Sequence, residues 1–280
     1  MNSDNTAVIS STESVDSWQA DRLREEIGRR VSLFRKNGVG SGDRVLIFKN
    51  ASPGFFADLF AVWQLGGCVM CLSTSLTISE LSNIESFTSP RLLLVDETFS
   101  PDKSIETQTV VSELEANEEA TYLAPGFGSS IDDDALVLFT SGTTGVPKGV
   151  THSFRSILSR VMLNRNFIGD TVLQRTLCFL PTHFGHGLIG NCLTPLFAGK
   201  SLVLSSLNSL NDAARLSEHI DNYGITFLSS VPTNWALALK ASDIPRKGTL
   251  RQISVGSAPL TTNLWNQVIE WSGTKNVVNM

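Results

Sequence analysis

The sequence has little cysteine, no surplus of basic charge and no long apolar run, and each shortage removes a class of protein. Four cysteines in 280 residues make no disulfide framework and point to a reducing, cytoplasmic setting. Two of them, Cys68 and Cys71, form a CxxC inside "GGCVMCLS". That stretch reads as a strand, where residues three apart face opposite ways. No second pair with zinc-finger spacing accompanies them, so both are expected in the core as small hydrophobes. Lysine and arginine number 22 against 27 acidic residues, a net charge of −5. That balance argues against a general nucleic-acid or anionic-membrane binder, so any phosphate binding has to be local. No apolar run reaches the ~18–20 residues of a spanning helix. The opening "MNSDNTAVISSTESVD" lacks the basic start and apolar stretch of a signal peptide.

What remains is an ordinary globular balance, 41% apolar and 18% charged, in a chain long enough for one large domain or two modest ones. Ala20, Leu23, Ile27, Val31 and Phe34 repeat at helical spacing and predict a helix over Asp16 to Gly38, its charges on the opposite face. Strands are expected at Asp43 to Lys49, Cys68 to Ser73 and Arg91 to Asp96. Between them, Ser52 and Pro53 open a helix closed by Gly66, and Thr77 with Glu80 has capping-box spacing. Residues 97–134 are polar and read as loop, with one short strand near Val110 and Val111.

Alternation then resumes. Strands are expected at Leu136 to Phe139, Thr176 to Leu180, Ser201 to Ser205, Thr226 to Ser229, Leu250 to Val255 and Asn276 to Met280. Helices fill the gaps at Ser153 to Phe167, His186 to Phe197, Ser209 to Asn222, Pro232 to Lys240 and Thr261 to Trp271. The fold class is therefore α/β, with stacked, mostly parallel sheets covered by helices. The expected division is a first α/β subdomain over 1–111, a linker over 112–134 and a second subdomain over 135–280.

The densest chemistry lies in "LFTSGTTGVPKGV", Leu138 to Val150. Gly142 and Gly145 permit backbone angles and close approaches that other residues forbid. Such a bend can turn successive N–H groups inward around an anion. Thr140, Ser141, Thr143 and Thr144 add rotatable hydroxyls, Pro147 stiffens the exit and Lys148 supplies one point charge. Polyphosphate uses all of these together. The usual nucleoside-triphosphatase loop would need glycine before the lysine and a hydroxyl after it. Pro147 and Gly149 occupy those positions.

"TSGTTGVPKGV" resembles the signature phosphate loop of the adenylate-forming superfamily, which groups acyl- and aryl-CoA synthetases, luciferases and peptide-synthetase adenylation domains. "LPTHFGHGLIGNCLTPLFAGKSLVL", "VPTNWALAL" and "LRQISVGSAPL" resemble further segments of that family in the same order. The resemblance implies the N-terminal domain of the adenylate-forming fold, incomplete here. It also implies a two-step reaction: MgATP converts a carboxylic acid to an acyl-adenylate, and a thiol then takes the acyl group. ATP is the implied cofactor, with CoA or phosphopantetheine as acceptor and a carrier protein as a possible partner. The glutamate that helps bind magnesium is expected beyond Met280, so no metal ligand is assigned.

By the same resemblance, Thr140 to Gly145 and Lys148 hold phosphates, and Gly256, Ser257, Ala258 and Pro259 line the adenine. Lys148, His183 and His186 are the candidate catalytic residues. Where the family commonly reads Pro-x-Phe-His-x-x-Gly, this chain reads Pro181-Thr182-His183-Phe184-Gly185-His186-Gly187. The choice among His183, Phe184 and His186 for ligand contact stays open. Phe184, Gly187 and Trp235 are candidates for an acyl pocket, although aromatic residues at helical spacing are more often plain core.

No carboxylate lies between Pro181 and Lys200 to pair with an α-ammonium, which favours an aryl or fatty acid over an amino acid. The chain ends in an apparent strand, "NVVNM", and is expected to be a fragment that is inactive or weakly active alone. The alternatives are a non-catalytic nucleotide or acyl-binding module without the cap, and a phosphohydrolase, for which no water-activating carboxylate is placed.

Overall fold

The computed structural model describes residues 9–12, 17–117, 119–122, 130–140 and 148–280. Strands β1 (Ile9–Ser11) and β2 (Ser17–Trp18) precede helix α1 (Ala20–Lys36). Then come β3 (Arg44–Phe48), α2 (Pro53–Gln64), β4 (Cys68–Cys71), α3 (Ile78–Thr88), β5 (Leu92–Val95), β6 (Thr109–Val110) and α4 (Ser112–Glu115). Strands β7 (Asp134–Thr140) and β8 (Lys148–Ser153) lead into α5 (Phe154–Ile168) and β9 (Arg175–Cys178). A π-helix (His186–Leu193) runs on into α6 (Thr194–Phe197), followed by β10 (Ser201–Leu204), α7 (Leu210–Ala214) and α8 (Leu216–Tyr223). The chain closes with β11 (Phe227–Ser230), α9 (Pro232–Ala241), β12 (Gln252–Val255), α10 (Thr262–Ser272) and β13 (Val277–Asn279).

Two compact units divide these elements. Ala20–Ser159 with Pro181–His183 form one, and Arg160–Leu180, Phe184–Met280 and the two N-terminal strands form the other. The sheet of the first unit has the order β6-β5-β3-β4-β7-β8, parallel except for β8, which runs antiparallel to β7. The second has the order β13-β12-β11-β9-β10-β1-β2, parallel except for β2 against β1. Alternation of strand with crossover helix produces this class, as expected from the sequence.

The local signals behave as their chemistry requires. Ser52 Oγ accepts from the Phe55 N–H at 3.0 Å and Pro53 opens α2. Thr77 and Glu80 close a reciprocal capping box on α3. Gly38 follows α1 with φ 79°, the left-handed conformation that glycine tolerates. Cys68 packs with Leu46, Met70 and Leu93 on one face of its sheet, and Cys71, three residues on, takes the other. Both thiols are free and buried, and burial pushes that of Cys68 up to about 12.

Other expectations shift. Helix α1 starts at Ala20 rather than Asp16, because Ser17 and Trp18 pair with β1 instead. The expected helix at Ser209 to Asn222 is two helices joined at Arg215. Strand β8 is absent from the sequence reading, which has a helix begin at Ser153 and nothing regular between loop and helix. The expected division at 112–134 also differs from the observed units. Strand β7 lies beside β4, with Val69 opposite Leu136 and Cys71 opposite Leu138, so Asp134–Ser153 completes the sheet built by the earlier strands. Pairing across more than sixty residues decides this, and no local composition records it.

One feature of the first unit runs against the sequence reading. Arg30, expected on the charged face of α1, is buried, as are Lys49 after β3 and Asp58 in α2. Asp58 accepts from Arg30 Nε at 2.7 Å, Lys49 Nζ at 2.7 Å and Ser112 Oγ at 2.9 Å. Glu26 pairs with Arg30 and Glu113 with Lys49. Burial pulls the pKa of Arg30 and Lys49 down, and the Asp58 charge, with the two glutamates, more than reverses this; both remain cations. The cluster joins α1, β3, α2 and α4.

Candidate functional site

Ser141, Gly142, Thr143, Thr144 and Gly145 of the expected phosphate loop lie outside the described residues. Val146 and Pro147 lie outside them too, and Thr140 and Lys148, on either side of 141–147, are described. Strand β7 is buried from Ala135 to Leu138 and emerges at Thr140, and β8 returns antiparallel with Lys148 opposite Thr140. Thr140 Oγ1 donates to the Lys148 carbonyl at 3.4 Å. The hairpin thus fixes the separation of the loop's two ends, and Lys148 is exposed at the start of the returning strand. A β-carbon on Gly149 would come within 2.8 Å of Val137 Cγ1, so glycine after the lysine lets β8 lie tight on β7. On this face Lys148 and Arg44 border a cavity of about 520 Å³ with Val137 and Phe139 in its lining.

In the other unit the carboxyl ends of β11 and β12 face the π-helix, the position where open α/β sheets bind ligands. His186, the first residue of the π-helix, is half-buried. Its Nε2 lies 2.7 Å from Ser229 Oγ and its Nδ1 3.0 Å from Ser257 Oγ. Asn191, five residues on and buried, donates from Nδ2 to the Ser229 carbonyl at 2.7 Å. Gly256 is buried where a β-carbon would meet the Met280 carbonyl at 3.1 Å and His186 Cε1 at 3.7 Å. Ser257 holds φ 65°, a conformation non-glycine residues reach at a cost. Ser257, Ala258 and Pro259 are exposed. The turn therefore presents small polar atoms at a strand end, above a neutral imidazole whose pKa burial lowers.

The structure separates the remaining candidates. Phe184 is partly exposed, its ring 6.0 Å from that of His186. Gly187 is buried in the π-helix. Trp235 sits in the core, 1% exposed, edge-on to Trp271 at 5.6 Å, so of its two readings the core is the one realised. His183 is half-buried and its pKa is lowered by burial. It belongs to the unit of the β7–β8 hairpin, whereas His186 belongs to the other. Among the described residues no three His, Cys, Asp or Glu side chains cluster to hold a metal, and no helix is long and apolar enough to cross a membrane.

Sequence reasoning missed Ser229 and Asn191. The available signal was a Ser-Ser pair ending an apolar strand and one amide inside the apolar run "GLIGNCL".

A family model described as AMP-binding enzyme matches residues 1–280. The chain belongs to that family. The adenylate-forming resemblance drawn from the phosphate loop is thereby correct. A hybrid PKS-NRPS synthetase, xenE, of Xenoacremonium sinensis is 29% identical over 258 residues, 89% of this chain and 6% of the synthetase. A 3-hydroxybenzoate/4-hydroxybenzoate–CoA ligase of Thauera aromatica is 25% identical over 292 residues, 96% of this chain and 54% of the ligase. The chain thus spans about half of that ligase and a small part of the synthetase. In structure it resembles ATP-bound MatB of Rhodopseudomonas palustris, with a TM-score of 0.85 at 21% identity, over 100% of this chain and 57% of MatB. At that identity the likeness speaks for the fold alone. Relatives of this AMP-binding chain thus include a CoA ligase and a PKS-NRPS synthetase.

Proposed function

We propose that this AMP-binding chain takes part in ATP-dependent activation of a carboxylic acid to an acyl-adenylate, followed by transfer to CoA or a carrier-protein pantetheine. The observation that carries the proposal is the β7–β8 hairpin, which sets Thr140 and the exposed Lys148 on either side of the hydroxyl- and glycine-rich loop. Lys148 meets β- and γ-phosphate charge, and hydroxyls and amides of 140–145 supply the remaining donors. Catalysis here is a matter of placing two anions together while charge builds at phosphorus, which fixed donors and a cation accomplish without rearrangement. ATP supplies the activating adenylyl group: the carboxylate oxygen bonds to the α-phosphorus and pyrophosphate leaves. Magnesium, if it serves the reaction as in other phosphoryl transfers, takes ligands from outside the residues described above.

In the other unit the same reading concerns base and acid. The Gly256–Pro259 turn lines the adenine through backbone and small polar groups. Phe184 and Gly187 face the acyl group. No carboxylate lies between Pro181 and Lys200 to pair with an α-ammonium there, which supports an aryl or fatty acid substrate.

The test is ATP–pyrophosphate exchange by the full-length protein, wild type and variant, across a panel of aryl, fatty and amino acids. Lys148→Ala should lower exchange at least tenfold, about 1.4 kcal/mol of transition-state stabilisation. Exchange unchanged by that substitution would remove Lys148 from the mechanism. Exchange with no acid in the panel, despite bound ATP, would favour a binding module.

A further inference from the structure

The π-helix has a geometric consequence at His186. In an α-helix residues five apart point roughly 140° from each other. A π-helical turn, with its i→i+5 hydrogen bonds, brings them towards one face. The Thr194 N–H and Thr194 Oγ1 both bond to the Ile189 carbonyl five residues back, and Pro195 lacks an N–H with which to continue a regular ladder. His186 and Asn191 accordingly meet the same residue, Ser229, one at its hydroxyl and the other at its carbonyl.

Hydrogen-bond satisfaction then fixes the protons. Ser229 is 1% exposed, and its hydroxyl has His186 Nε2 as its hydrogen-bond partner among the described residues. A buried hydroxyl that only accepted there would leave its own O–H unmade, at a cost. Ser229 therefore donates to Nε2, and the neutral imidazole carries its proton on Nδ1. That N–H donates to Ser257 Oγ at 3.0 Å. Ser257 is exposed, and its O–H, not needed by His186, is left to donate outward. Both nitrogens of His186 are committed, so it has no free lone pair with which to act as a base.

We propose that Asn191, Ser229 and His186 form a hydrogen-bonded strut that holds the Ser257 hydroxyl, proton outward, as a donor to an acceptor atom of an adenine nucleotide at the Gly256–Pro259 turn. The inference rests on the nucleotide reading of that turn. His186 is then a positioning residue rather than a proton shuttle, and Asn191 and Ser229 are positioning residues behind it. The strained backbone at Ser257 is maintained because the imidazole anchors the side chain that follows Gly256.

The test joins a spectroscopic readout to a binding one. Nitrogen-15 spectra of the imidazole of His186 in the intact chain at pH 7.5 should show the Nδ1–H tautomer, assigned with His186→Gln. AMP binding should weaken about fivefold for Ser257→Ala, the loss of one hydrogen bond. Ser229→Ala and Asn191→Ala should shift the His186 nitrogen signals and weaken AMP by a similar factor. Ser229→Ala combined with Ser257→Ala should be no worse than either alone, since both break one chain of contacts. Asn164→Ala, which removes the hydrogen bond donated by Asn164 Nδ2 to Thr194 Oγ1 in the same unit, controls for general loosening and should leave the His186 signals in place.

An Nε2–H tautomer, or signals unmoved in Ser229→Ala, would overturn the strut whatever binds. Should Asn191→Ala not fold, Ser229→Ala still decides. A correct tautomer with full AMP affinity in Ser257→Ala would refute the donor role. Failure of the wild-type chain to bind AMP or ATP at all would instead count against the nucleotide reading, with the strut still judged by its spectrum.

Discussion

Asp58→Ala is the sharpest structural perturbation available in the first unit. The carboxylate is fully buried and accepts from two cations and a hydroxyl, at 2.7, 2.7 and 2.9 Å. Two charge-assisted bonds at about 1.5–3 kcal/mol each give a loss of about 3–6 kcal/mol. Breaking one side of a buried ion pair costs about 3–5 kcal/mol in general, because the partner is left buried and unpaired. Here Glu26 and Glu113 remain beside Arg30 and Lys49, which places the expected loss near the lower end, about 3 kcal/mol. At roughly 2–4 °C per kcal/mol for a chain of this size, the melting temperature should fall by about 6–12 °C. Thermal and urea unfolding of the purified chain measure it directly. Arg155→Ala is the companion, since its two bonds to Asp132 lie on the surface, and it should melt with the wild type. A drop of under about 1 kcal/mol for Asp58→Ala would mean that the three buried charges do not constrain one another.

Two further outcomes follow from the second unit and from the histidines. Gly256→Ala should reduce AMP affinity more than stability, because its β-carbon would meet the carbonyl and β-carbon of Met280 at 3.1 and 3.3 Å and shift the turn that follows; equal affinity in titration would show that the turn is not a ligand surface. Burial lowers the pKa of His183 and His186 in the folded state, so between those values and the ordinary value of about 6.5 the unfolded chain binds more protons. Their contribution to stability is present above about pH 6.5 and is lost as pH falls through the folded values. Urea midpoints at pH 7.5 and 5.5 should differ in that direction, and part of the difference should vanish in His186→Gln; an identical difference in that variant would exclude His186 as a source.

Much of the fold was written in one-dimensional patterns. Period-3.6 spacing marked α1, apolar runs marked the buried strands, and Ser52, Pro53, Thr77 and Glu80 marked helix starts, because caps and amphipathic faces are set by neighbours within a turn. The hydroxyl, glycine and lysine spacing of Leu138 to Val150 also pointed to an anion-binding bend without help from folding, since such a bend is a local device. Family membership was legible for the same reason.

The tertiary structure alone decided matters that depend on residues far apart in the chain. Strand β7 joins β4 and brings the β7–β8 hairpin into the earlier sheet. Arg30 turns inward because Asp58 and the two glutamates of other turns and elements meet it there. His186 finds both nitrogens engaged because a π-helical turn aligns it with Asn191 over Ser229, while Ser257 arrives from another strand end. Local sequence fixes which conformations and which chemistry a segment can offer; pairing, burial and proton placement depend on which distant groups share the space, and packing settles that.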